Sequence, residues 1–136
     1  MESETVKVKV RFSDADALRI VWHGNYVRYM EDARDAYCLR QGWDFERMTK
    51  LGYVAPVFNL EMHYHHPAKI GEELLVTATL QPIKSAKLVF DYEIKRTDGL
   101  LIMTGQTTQL FTDLEGNLVA TRPPFLDSIV EESPKH

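Results

Sequence analysis

Between Asp14 and Asn25 the chain sets two carboxylates, Asp14 and Asp16, one imidazole, His23, and Gly24 ahead of a run with helical spacing. A carboxylate can attack a carbonyl carbon or take a proton from water. The start of a helix presents backbone N–H groups that lack intrahelical partners, at the positive end of the helix dipole. Aimed at a carbonyl oxygen, one such donor is worth about 2.7–4 kcal/mol in the transition state of acyl transfer. Read this way, Asp14 and Asp16 share one face of an extended segment and raise each other's pKa. A plainer reading fits the same residues: Asp14 is a solvated loop acid, both aspartates bond their own backbone, and His23 is a neighbour of the helix cap. Spacing alone leaves both open.

These residues need elements to hold them. Residues 6–12 alternate, with Val6, Val8, Val10 and Phe12 on one face and Lys7, Lys9 and Arg11 on the other, which predicts a half-buried strand. Residues 13–25 break that period and read as a loop. From Tyr26 the apolar residues Tyr26, Tyr29, Met30, Ala33, Ala36 and Tyr37 recur at three and four, and Arg28, Glu31, Asp32, Arg34 and Asp35 fall mostly opposite. That spacing predicts a helix of about 16 residues, with Asn25 as N-cap and Gly42 as the stop signal. A second short helix is expected from its cap Asp44 to Leu51, ended by Gly52. Strand patterns follow at 58–65, 74–80, 88–94 and 100–111, with a turn at Lys84-Ser85 and an Asp98-Gly99 hairpin between the last two. Glu115-Gly116-Asn117 predicts a turn before a short strand at 118–121. Pro123 and Pro124 open a short helix through Val130, and 131–136 reads as a frayed tail. One long helix can be covered only by a sheet wrapped around it. The expectation is an α+β, two-layer, single domain over residues 1–136.

The 136 residues carry 16 basic and 20 acidic side chains, a net charge of −4, with 44% hydrophobic and 26% charged residues. That balance excludes a bulk nucleic-acid partner, which needs a basic surface to displace counterions. Cys38, the only cysteine, cannot close an intramolecular disulfide and fits a reducing compartment. The acidic start Met1-Glu2-Ser3-Glu4 has no basic or apolar leader, and no run approaches the ~18 apolar residues of a membrane span. A cytoplasmic protein is expected. Cys38 has no base near it in sequence and reads as core packing. His63 and His65 share a strand face and His66 follows, but no third ligand stands at a fixed spacing, so a polar sheet face is expected rather than a metal.

The segment Arg11-Phe12-Ser13-Asp14-Ala15-Asp16-Ala17, followed by Ile20-Val21-Trp22-His23-Gly24-Asn25-Tyr26, resembles the signature of the 4-hydroxybenzoyl-CoA thioesterase family of hot-dog folds. The subgroup it resembles most is that of the bacterial acyl-CoA thioesterases associated with the Tol-Pal system. The likeness continues through Glu31-Asp32-Ala33-Arg34 and His66-Pro67-Ala68, from Val6 to about Phe125. It implies a long central helix wrapped by an antiparallel sheet, and hydrolysis of an acyl-CoA to the free acid and CoA. The catalytic carboxylate falls at Asp16, which either attacks the carbonyl to give a mixed anhydride or deprotonates water. The carbonyl-polarising backbone N–H falls at His23, whose side chain assists. Trp22, Gly24, Asn25 and Tyr26 then surround the substrate, with Tyr29 and Val57 bearing on pocket depth. Glu31 lines the pocket, as a helix carboxylate does in a second branch of hot-dog thioesterases, or pairs on the helix surface. Lys84 and Lys87 meet CoA phosphates, or stand as solvated strand-end charges. No metal and no cofactor is implied beyond the coenzyme A that is part of the substrate. A homodimer or homotetramer is implied, formed by continuing the sheet and placing the site at the interface. Edge-strand physics points the same way.

Two departures stand out. Leu18-Arg19 occupies the place where the family usually has a glycine, so a positive φ there is costly, and Arg19 could instead face a CoA phosphate. Phe12 stands where a tyrosine is common, which removes a hydroxyl. A hot-dog acyl-thioester hydratase or dehydratase, and a non-catalytic acyl-thioester binding module with Leu18-Arg19 marking lost loop geometry, are the other functions open to this sequence.

Overall fold

The computed structural model describes residues 2–126. Five strands, β1 (Glu2–Lys9), β2 (Val57–Tyr64), β3 (Glu73–Leu80), β4 (Lys87–Arg96) and β5 (Leu101–Leu110), form one antiparallel sheet in the order β1-β3-β4-β5-β2. The long helix α1 (Tyr26–Gln41) lies on one face of it, followed by the short α2 (Phe45–Lys50). This is the sheet-on-helix arrangement that the periodicities predict.

Side-chain alternation explains the layers. Leu74, Val76, Ala78 and Leu80 of β3 and Leu88, Phe90, Tyr92 and Ile94 of β4 point to the same face and are buried. Against them α1 buries Tyr26, Tyr29, Met30, Ala33 and Tyr37. Close approach needs small residues: a Cβ on Gly105 of β5 would stand 2.9 Å from the Glu61 carbonyl oxygen and 3.2 Å from the Met30 methyl. Gly42 closes α1 in the left-handed conformation at φ 84°, as its place after the periodic run predicts. The Asp98-Gly99 hairpin also forms, with Gly99 at φ 96°.

Four expectations change. β1 ends at Lys9 rather than at residue 12, because Val10 leaves the ladder to pair with Glu72 and Gly71, and Phe12 enters a 3-10 turn (Phe12–Asp14) where it is 84% exposed. Asn25 occupies the N-cap position of α1 but does not cap it; its backbone is helical and its side chain donates elsewhere. Residues 118–121 are no strand, since the Asp113 carboxylate takes the Glu115 and Asn117 amides into a tight turn and leaves only a Thr112–Leu118 bridge and one Val119–Phe111 bond. β2 alternates in sequence yet buries neither face, because it is the outer strand at the edge away from α1, which packs over β1 and β3. The helix expected after Pro123 begins as a 3-10 turn (Pro124–Leu126), and its remainder with the tail lies outside the described residues.

Candidate active site

The loop between β1 and α1 is fastened at its inner half. The Asp14 carboxylate is buried and accepts hydrogen bonds from the Arg11 amide at 3.0 Å and the Tyr29 hydroxyl at 2.9 Å. Its carbonyl oxygen accepts the Trp22 amide at 3.0 Å and the Asn25 side-chain amide at 2.8 Å. Asp14 is therefore neither a solvated acid nor a partner of the Asp16 carboxylate. The 3-10 turn at Phe12–Asp14 and the extended Ala15, bridged to Val21, send the two side chains to different surroundings. Burial, and then the hydrogen bond to the Asp14 carboxylate, push the Tyr29 hydroxyl above its ordinary pKa, so it remains a donor.

The helical run starts earlier than α1 itself. A 3-10 turn at His23–Asn25 leads into α1, with Trp22 extended before it and the Asn25 amide returned to the Trp22 carbonyl at 2.8 Å. The His23 and Gly24 amides thus stand at the open end of the run. A Cβ on Gly24 would fall 2.2 Å from the Trp22 ring, which lies across it half-exposed. The Trp22 and His23 rings sit 5.0 Å apart. Tyr64, at the end of β2, donates to the His23 carbonyl at 3.1 Å and packs on Tyr26, whose hydroxyl accepts the Ala68 amide at 3.3 Å.

The outer half of the loop carries Asp16. Its amide donates to the Ile20 carbonyl at 3.0 Å, its carbonyl accepts the Arg19 amide at 2.9 Å, and its Oδ1 accepts the Leu18 amide at 2.9 Å. The turn closes with Arg19 at φ 64°, the one positive-φ non-glycine residue among those described. The left-handed turn therefore persists without a glycine. Asp16 is half-buried and lines an open cleft of about 840 Å³ with Phe12, Ala15, Ala17, Arg19, Lys69 and Ile70.

His23 lines a different cleft, of about 370 Å³, together with Tyr26, Tyr64 and His66. A short ladder separates the two: Ile20 bridges Lys69, and the Val21 amide donates to the Ala68 carbonyl at 2.9 Å. Within one chain, Asp16 and His23 face adjoining clefts. Of the residues expected around the substrate, Tyr26 lines the His23 cleft, Trp22 rests beside the His23 ring, and Asn25 turns its side chain away to the Asp14 carbonyl. Glu31 is exposed farther along α1 and lines neither cleft. Lys84 and Lys87 lie past the far end of β3, roughly 25 Å from the loop at the ordinary strand rise. Lys69, Ile70 and Tyr64 enter these clefts unheralded in the sequence, because tertiary pairing with Ile20 and His23 brings them there.

The remaining reactive side chains stand apart. Burial pushes the Cys38 thiol up to about 12, which leaves it unreactive in α1. His65 and His66 each face β5 singly, at Thr104 and the Leu101 carbonyl. Among the described residues no three His, Cys, Asp or Glu side chains gather as a metal site, and no helix is long and apolar enough to cross a membrane.

The sequence profile of the thioesterase-like superfamily matches residues 10–130. The chain is 31% identical to the Synechocystis protein sll0410, provisionally named an esterase, over 89% of this chain and 74% of that protein. It is 28% identical to YneP of Bacillus subtilis, provisionally named an acyl-CoA thioesterase, over 80% of this chain and 79% of the relative. The crystal structure of Slr0204, a 1,4-dihydroxy-2-naphthoyl-CoA thioesterase from Synechocystis, superposes with a TM-score of 0.85 at 19% identity, covering 96% of both chains. That likeness shows the hot-dog fold.

Proposed function

The chain belongs to the thioesterase-like superfamily, and from that membership we propose that it hydrolyses an acyl-CoA to the free acid and CoA. The observation that carries this reading is the state of Asp16. One carboxylate oxygen is fixed by the Leu18 amide, and the other has no hydrogen-bond partner among the described residues and belongs to an open cleft. A carboxylate so held is oriented but not quenched. The names of the sll0410, YneP and Slr0204 proteins support the same chemistry. The Arg11–Ala17 and Ile20–Tyr26 segments support a place beside the Tol-Pal-associated acyl-CoA thioesterases.

In this mechanism Asp16 either attacks the thioester carbon or takes a proton from the water that attacks it. In the first case the CoA thiolate leaves a mixed anhydride, which water then hydrolyses. In the second the tetrahedral intermediate collapses directly to acid and CoA. The free amides at His23 and Gly24 are the candidate oxyanion donors, so this mechanism requires the thioester carbonyl to lie across the Ile20–Lys69 ladder that divides the Asp16 cleft from the His23 cleft. The reading calls for no cofactor, and it places the enzyme in the cytoplasm, where acyl-CoA and a free Cys38 thiol belong together.

It also calls for a homodimer, or a pair of dimers, that continues the sheet along β2. Val57, Phe58, Leu60 and Tyr64 on that outer strand are all more than 40% exposed, an apolar edge with open backbone groups. Tyr64 ties the end of this edge to His23, so a second copy paired here borders the His23 cleft. Size-exclusion chromatography with light scattering checks the assembly, and a monomer overturns it.

A panel of short-chain, long-chain and aromatic acyl-CoAs, followed by free-thiol release, tests the activity. Wild type is expected to release thiol, and Asp16→Ala to lose at least ~100-fold in kcat/KM, about 2.7 kcal/mol. An Asp16→Ala variant that keeps full activity sinks this mechanism. Hydration of crotonyl-CoA without thiol release would favour a hydratase, and CoA binding without turnover a binding module. The persistence of the Asp16–Arg19 turn speaks against the binding module, whose argument was a lost loop geometry.

A further inference from the structure

The cleft that holds Asp16 also holds two cations, Arg19 and Lys69, that the hydrolytic step itself does not use. Neither side chain has an ion-pair or hydrogen-bond partner among the described residues. They are brought side by side by the backbone: Ile20 bridges Lys69, and the Ile70 amide donates to the Arg19 carbonyl at 3.4 Å. Apolar side chains, Phe12 and Ile70 among them, complete the walls, and Asp16 is the only acid among the lining residues. Arg19 holds its place at φ 64°, a conformation that L side chains other than Asn and Asp rarely adopt. Glycine, or asparagine, would make the same turn with less strain. A strained residue kept at the mouth of a cleft invites a reading in which its side chain has a ligand.

The overall charge sharpens the point. The chain carries −4, and Asp16 adds a local negative charge where the thioester must come to rest. An anionic substrate approaches such a site only where cations offset that field, and two cations in a concave wall raise the local concentration of anions.

We propose that Arg19 and Lys69 form an anion subsite beside Asp16 that receives a negatively charged group of the thioester substrate. The inference rests on the acyl-thioester reading of this cleft and deepens it. The shared chemistry is an oxyanion bound by a planar guanidinium fork and an ammonium. It comes from one of two sources: a carboxylate at the far end of the acyl group, or a phosphate of the CoA carrier.

Four thioesters separate these sources: butyryl and succinyl groups, each carried on CoA and on the phosphate-free N-acetylcysteamine. Wild type, Arg19→Gly and Lys69→Gln are compared on all four, with butyryl-N-acetylcysteamine as the baseline for each protein so that folding losses cancel. The subsite predicts that each variant raises KM about tenfold, relative to that baseline, for the substrates that carry the recognised anion. A loss confined to the two CoA thioesters identifies the phosphate; one confined to the two succinyl thioesters identifies the acyl carboxylate. In either case Arg19→Lys, which keeps the charge, recovers much of the affinity, and added salt narrows the gap between wild type and variants. Equal changes on all four substrates, or recovery absent in Arg19→Lys, overturn the subsite while leaving the hydrolase reading intact. Failure of wild type to release thiol from these four and from the long-chain and aromatic acyl-CoAs is the distinct result that overturns the hydrolase reading and the subsite with it.

Discussion

Asp14 and Asp16 stand two residues apart in one loop and meet opposite fates. The inner half of the loop is buried and cross-bonded: Asp14 alone gathers the Arg11 and Trp22 amides, the Tyr29 hydroxyl and the Asn25 side chain. The outer half, from Asp16 to Arg19, bonds only to itself and to Ile20 and Ile70, and it ends in a left-handed arginine. A carboxylate that is to react must be held without being satisfied, and strain at its neighbour persists only where the surroundings over-determine it. The inner half supplies that hold. Asp14 and Tyr29 lock the loop to α1, and Asp16 is carried on the locked frame.

The comparison breaks most sharply at Asp14. Asp14→Ala leaves the buried Tyr29 hydroxyl and the Arg11 amide without their acceptor, and is expected to cost about 2–4 kcal/mol in a urea melt. Asp16→Ala, by contrast, is expected to unfold within about 0.5 kcal/mol of wild type while losing activity. Equal destabilisation by the two variants would erase the distinction between anchor and working group. Gly24→Ala comes next. Its methyl group lands inside contact distance of the half-exposed Trp22 ring, which can swing aside, so a cost of about 1 kcal/mol, the low end of overpacking, is expected, with Trp22 displaced and its fluorescence shifted. An unchanged emission spectrum would mean that Trp22 does not rest on Gly24.

Tyr29→Phe sharpens the anchor with a smaller effect than Asp14→Ala, about 1 kcal/mol at neutral pH. Its pH dependence has a definite sign. The folded-state pKa of Tyr29 lies above the ordinary value of 10.0, so its contribution is complete at lower pH and is lost as pH rises beyond about 10, where the unfolded chain releases the proton. Wild-type stability should therefore fall more steeply than that of Tyr29→Phe in alkaline denaturation series. Parallel curves would remove Tyr29 from the anchor.

The parts legible in the sequence are those decided by neighbours in the chain. The spacing from Tyr26 to Tyr37 and the glycine at 42 place α1, and Asp98-Gly99 places a hairpin, because periodicity and turn chemistry are local. The fate of Asp14 was not legible, since it is decided by a hydroxyl fifteen residues away on α1. Likewise an alternating strand looks the same whether α1 covers it, as in β3, or not, as in β2. The candidate site divides along the same line. Asp16, His23 and the helix start can be read from one motif, but their separation into adjoining clefts follows from the pairing of Ile20 with Lys69, 49 residues further along the chain. Lys69 carries no signal of its own. It sits in a strand break after Pro67, and only the folded ladder sets it beside Arg19.

The smallest expected effect falls on the outer half, and its sign is opposite to the rest. A left-handed backbone costs an L residue such as arginine about 1–2 kcal/mol, and glycine removes that cost. Glycine also gives back about 0.5–1 kcal/mol through the greater freedom of the unfolded chain. Arg19→Gly is thus expected to leave stability unchanged or raise it by up to about 1 kcal/mol, the reverse of Asp14→Ala. A residue that weakens substrate binding when removed and strengthens the fold has been kept for its side chain, the usual exchange of stability for function at a site. If Arg19→Gly instead unfolds more easily than wild type, the arginine is fastening the loop. The outer half would then be a second anchor, and the contrast between the two halves would fail at its last member.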